Sequence, residues 1–127
     1  MHLSVQLQTE TGHVMSRVDL GLPFRYLLNM TPSANTHCLQ FIDPYGDTVF
    51  NGLQASVLFA ELEAASTGVS EEAIALEHAR QVAEFAGRSS VYAAPTLASV
   101  RAEARAAMSL AARCQDEMHT YVKFVGD

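Results

Sequence analysis

A chain of 127 residues, 49% hydrophobic and 17% charged, is long enough to bury a core and is expected to fold as one domain spanning 1–127. Its net charge of −6 and sequence pI near 5.2 argue against a nucleic-acid binder, which needs a basic face, and against an anionic membrane surface. No basic-then-apolar leader opens the chain and no apolar run approaches the ~18 residues of a membrane helix, so a cytoplasmic protein is expected, with Cys38 and Cys114 as free thiols.

His2 to Gln8 alternates, with Leu3, Val5 and Leu7 on one face. A turn at Thr9-Glu10-Thr11-Gly12 leads to a second strand, His13 to Asp19, so this segment reads as a hairpin. Pro23 suits a first helical position and opens a short helix through Phe24–Leu28. After a polar loop, His37–Ile42 and Asp47–Phe50 are expected to form a second hairpin joined by Asp43-Pro44-Tyr45-Gly46. Asp43 can accept the backbone N–H two residues on, Pro44 presets φ, and Gly46 is expected at positive φ. Asn51 then caps a helix.

Of 19 alanines, 18 lie at Ala55 or later, and three helices are expected there. The first, about Leu53 to Ala65, has two apolar arcs: Ala55, Leu58, Phe59 and Leu62, and Leu53, Val57, Ala60 and Ala64. Two apolar faces predict burial on both. The second runs from a Ser70 cap to about Ala86, with Gly87 as its stop and an apolar face of Ile74, Ala75, Ala79, Val82, Phe85 and Ala86. A connector from Arg88 to Pro95 follows. The third helix runs from a Thr96 cap to about Glu117, with a stripe of Val100, Ala104, Ala107, Met108, Ala111, Cys114 and Met118. Alanine facing alanine predicts close packing of these last two helices. His119–Val125 alternates again and is expected to rejoin the sheet, most simply parallel to a neighbour. The expected class is α+β: an approximately five-stranded, mostly antiparallel sheet covered on one face by three helices.

Two blocks, Phe41-Ile42-Asp43-Pro44-Tyr45-Gly46-Asp47-Thr48-Val49-Phe50-Asn51 and Tyr121-Val122-Lys123-Phe124-Val125-Gly126-Asp127, resemble those of a group of small bacterial proteins with no known activity. The resemblance covers about a seventh of the chain. It implies a bacterial cytoplasmic origin and assigns no functional residue.

No phosphate-binding loop, dinucleotide fingerprint, zinc-helix motif, paired CxxC or nucleophile elbow occurs. Asp43 and Asp47 flank one turn and could divide acid and base roles, against a plain structural duty for each. His37, Asp43 and His119 carry the ligand types of a divalent metal, against solvated strand-end histidines. Arg101 and Arg105, one helical turn apart, could grip a phosphate or carboxylate, against a solvated face. His78 on the second helix reads as a hydrogen-bonded or rim residue, and Cys114 as an inert buried thiol. Cys38 and His37 are strand neighbours, so they point apart. Tyr45 at a turn apex has little local core to enter and is a candidate recognition anchor.

The reading that follows is a non-enzymatic binding protein of a protein partner, itself basic, that it neutralises or escorts, using Tyr45, Asp43, Asp47, Arg101 and Arg105. The alternative is a small metal-binding protein or hydrolase-type enzyme using Asp43, Asp47 and His119. No cofactor, nucleic acid or membrane is expected, and a homodimer is.

Overall fold

In the first strand of the structure, a computed structural model that describes residues 2–85 and 93–127, every second side chain goes to the core. Leu3, Val5 and Leu7 of β1 (Leu3–Thr9) are buried, and the hairpin partner β2 (Val14–Leu20) follows as the alternation predicts. The remaining strands are β3 (Asp47–Phe50) and β4 (Thr120–Gly126). The sheet order is β2-β1-β4-β3 and every pairing is antiparallel.

Two expectations about the sheet are corrected. It has four strands among the described residues, not five, because the segment 37–42 does not pair. Leu39 and Ile42, three residues apart, are buried, while Phe41 is 64% exposed. That is the spacing of the 3-10 turn Leu39–Phe41, so the apparent alternation of Leu39 with Phe41 misleads. The bend is fixed from a distance: the Glu61 carboxylate accepts the backbone N–H groups of His37, Cys38 and Leu39. The segment still reaches β3, through one side chain. The Thr48 hydroxyl donates to the Phe41 carbonyl at 3.1 Å and accepts the Asp43 N–H at 3.2 Å. The second correction is β4, which is antiparallel to both neighbours and lies inside the sheet. Val122 and Phe124 are buried as expected, and Lys123 faces away from the core.

Four α-helices occur among the described residues. Pro23 opens α1 (Leu22–Met30), which is longer than expected. Asn51 caps α2 (Gly52–Gly68) in a reciprocal box with Gln54. Ser70 caps α3 (Glu71–Glu84) and Thr96 caps α4 (Leu97–Asp116). Of the four, α1, α2 and α4 lie on the inner face and α3 packs on α1. The expected end of α3 at Ala86 with its Gly87 stop, and the connector from Arg88, lie outside the described residues in their larger part. Phe124 joins the layers, stacked on Phe24 at 5.9 Å and edge-on to Phe50 at 6.1 Å.

The helix packing differs from expectation in two places. The most extensive helix contact is α2 on α4, whereas α3 leans mainly on α1. And α2 is buried on one face: Ala55, Leu58 and Leu62 go in, while Leu53, Val57, Ala60 and Ala64 stay out.

Helix ends are closed by distant side chains. Gly21 has no capping side chain, so the Glu103 carboxylate of α4 accepts the N–H groups of Gly21 at 2.8 Å and Phe24 at 3.1 Å. Arg101, also on α4, donates to the carbonyls of Ser66 at 3.1 Å and Val69 at 3.4 Å at the end of α2.

Candidate functional site

The turn Asp43–Gly46 is built as its residues predict, except at Gly46. The Asp43 Oδ1 accepts the Tyr45 N–H at 2.8 Å, and the Gly46 N–H donates to the Asp43 carbonyl at 3.3 Å. Gly46 is not at positive φ; among the described residues only Gly12 and His119 are. A Cβ at Gly46 would sit 2.8 Å from the Asp43 Oδ2, so a larger residue there requires that carboxylate to shift. The end of β4 lies on this turn. The Gly126 N–H donates to the Gly46 carbonyl and the Asp127 N–H to that of Pro44. A Cβ on Gly126 would come within 2.5 Å of the Pro44 carbonyl, so the backbone approach requires glycine. The two sequence blocks quoted above are therefore packed on each other.

Tyr45 stands out from this braced turn, 68% exposed, with the Arg25 guanidinium 6.0 Å from its ring centre. The flanking carboxylates have separate duties. Asp43 holds the turn, and Asp47 Oδ2 lies 3.4 Å from Lys123 Nζ.

His119 is not with them. It precedes β4 at φ 60°, with Nδ1 2.9 Å from Glu10 Oε1, whereas Asp47 pairs beside Val125 at the other end of that strand. Six residues of strand place the two ends about 20 Å apart. The backbone of His37 is held by Glu61. Among the described residues no three His, Cys, Asp or Glu side chains converge as a metal group would. Arg101 is committed to the end of α2, and Arg105 is exposed and lines the same shallow depression as Arg101 and Glu63. The thiols are free and buried: Cys38 beside the Gln54 carbonyl, Cys114 beside that of Thr120. Burial, and then the Glu61 charge, pushes the Cys38 thiol up.

Sequence reasoning missed a surface on α2 and α3. The outward arc of α2, with Leu53 85% exposed, runs into a cavity of about 410 Å³ between Ala60 and Ala64 of α2, Met30 of α1 and Ala73 of α3. Its ionisable lining residue is Glu61, already occupied by three N–H groups. A second cavity of about 570 Å³ shares Met30 and Ala73 and continues to Leu76 and Ala79. Leu76 is 74% exposed. The two-arc pattern of α2 carried the signal, because an arc without an internal partner must face outward.

The reason α3 turns apolar residues to solvent is the polar side it turns inward. Tyr26, fully buried on α1, places its hydroxyl 3.1 Å from His78 Nδ1. Glu77 is buried and accepts from Arg80 at 2.6 and 3.0 Å and from Gln81 at 2.8 Å, and it also bonds the side chain of Asn29. Arg80 bonds Glu84 as well. The Arg80 hydrogen bond, opposed by burial and helped by Gln81 and Asn29, holds the Glu77 carboxyl below the ordinary range. Burial, with the Glu77 charge, pushes the Tyr26 phenol up.

Compared with models of known families, with curated proteins and with solved structures, the chain matches none.

Proposed function

We propose that this chain is a binding protein that holds an apolar segment of a partner protein along α2 and α3. The observation that carries the reading is the outward apolar arc of α2, continuous through the cavity at Ala60, Ala64 and Met30 with Leu76 and Ala79 of α3. Exposed contiguous apolar surface marks interaction sites in folded proteins, and an amphipathic helix is the partner element that fits a groove between helices. The net charge of −6 favours a basic flank on that helix. A second reading places recognition at the turn apex, on the exposed Tyr45 ring braced by Arg25.

The two readings separate in one experiment. Leu53→Asp with Leu76→Asp changes only exposed side chains, as does Tyr45→Ala, so each variant should melt within about 0.5 kcal/mol of wild type. In quantitative capture from lysate, partners lost by the double variant and kept by Tyr45→Ala support the α2–α3 face. A loss confined to Tyr45→Ala moves recognition to the turn. Identical capture by all three proteins removes both surfaces.

A further inference from the structure

We propose that the free edge of β2 docks a second copy of this chain, paired antiparallel about a two-fold axis at Val18. The strand Val14–Leu20 is seven residues long and stands at the end of the sheet order. Its ladder runs to β1 alone, and among the described residues no turn, loop or side chain hydrogen-bonds its outer backbone edge. The strand carries no proline and no lysine, and its charges, Arg17 and Asp19, are of opposite sign. The one register shift of the hairpin, opposite Leu7 and Gln8, leaves Met15 of β2 as an extra residue, and the stretch Ser16–Leu20 beyond it is regular.

Charge selects both the occupant and the register. Arg17 and Asp19 project from the solvent face of β2, their side chains 50% and 65% exposed, and Arg17 Nη2 lies 3.1 Å from Asp19 Oδ1. Placing Val18 opposite Val18 of the second copy sets each Arg17 opposite an Asp19, twice over, across the axis. His2, whose Nε2 is 3.3 Å from Asp19 Oδ1, sits at the edge of that four-charge group. A register centred on Arg17 or on Asp19 would instead oppose like charges, which is unfavourable for directly facing strand residues. The pattern is thus self-complementary only about Val18, as an isologous interface requires. The two sheets join into one of eight strands, and the partly buried Val18 pair closes over the inner side.

Light scattering and sedimentation across about 10–500 µM at low salt test the proposal, a range suited to a small interface. Wild type is expected to pass from the 13.8 kDa chain to twice that mass with rising concentration. Arg17→Asp alone, or Asp19→Arg alone, opposes like charges at both contacts and should weaken dimerisation by about tenfold or more. Mixed in equal amounts the two single variants should pair with each other, because both contacts then oppose Asp to Arg. The double swap, Arg17→Asp with Asp19→Arg, should dimerise like wild type. Melting curves confirm that the exposed substitutions leave the fold intact. A wild-type chain that stays monomeric throughout overturns the proposal. Single variants that dimerise as well as wild type also overturn it.

Discussion

The two helices α3 and α4 are close in composition and opposite in use. In α4 the stripe Val100, Ala104, Ala107, Ala111 and Cys114 is buried, and the partners of the helix are α2, α1 and the sheet. In α3 only Ile74 and Glu77 are buried, and Ala75, Leu76, Ala79 and Val82 face solvent. The first helix is held by apolar burial, the second by Ile74 and by hydrogen bonds that Tyr26 and Asn29 offer from α1. An alanine-rich helical pattern therefore does not say which side is inside. The answer lies with the element it meets, and α1 meets α3 with polar groups.

The sharpest test of that difference is one substitution made twice. Ala107→Asp in α4 buries an unpaired carboxylate and should cost more than about 4 kcal/mol, enough to unfold many domains of this size. A urea midpoint left near that of wild type would show that α4 is less essential to the core than its burial implies. Glu103→Ala should cost about 1.5–3 kcal/mol, because two N–H groups at the start of α1 lose a charged acceptor. Amide exchange should then accelerate first in α1, and uniform acceleration would mean the cap is dispensable.

Glu77→Ala removes the acceptor shared by Arg80, Gln81 and Asn29 and should cost about 1–3 kcal/mol, read as faster exchange across α3 with α4 protected. The same group gives a pH dependence. A carboxyl that protonates less readily in the fold than in the unfolded chain stabilises the fold at neutral pH. That contribution is lost as pH falls from the ordinary glutamate value of about 4.3 toward the lower folded one. Acid should therefore loosen α3 before α4, and Glu77→Gln should flatten that difference. Smallest of all, Ala79→Asp, on the exposed side of α3, should shift stability by less than about 0.5 kcal/mol. A large loss there would mean that this face is covered.

Local chemistry was legible in the sequence. The caps Asn51, Ser70 and Thr96, the first hairpin, the Asp43 turn and the inward set of β4 need only near neighbours, and each is where its residues place it. What sequence reading lacked were the partners supplied from far along the chain. Glu61 bends 37–39 away from a strand, Glu103 starts α1, and Arg101 ends α2. A charged helix residue that caps another element looks in sequence like any solvated one. The candidate site suffered likewise: Arg101 read as a ligand grip is a cap, and Asp47 and His119 are separated by the strand that follows α4. Tyr45 is exposed as its position at the apex implied, and the outward arc of α2 was visible as a pattern but assigned to the interior.

The middle of the sheet is made of its first and last strands, Leu3 facing Gly126 and Thr9 facing Thr120. During synthesis β1 and β2 emerge together, yet the inner row Leu3, Val5 and Leu7 has no second neighbour until β4 (Thr120–Gly126) has left the ribosome. Closing so long a loop is entropically slow, and domains dominated by distant pairings fold late. The nascent hairpin thus presents an apolar ribbon with two open edges until β4 is made. Moving β4 ahead of β1 by circular permutation, with a linker long enough to preserve the register, would place the central pair in one early segment and should raise the refolding rate.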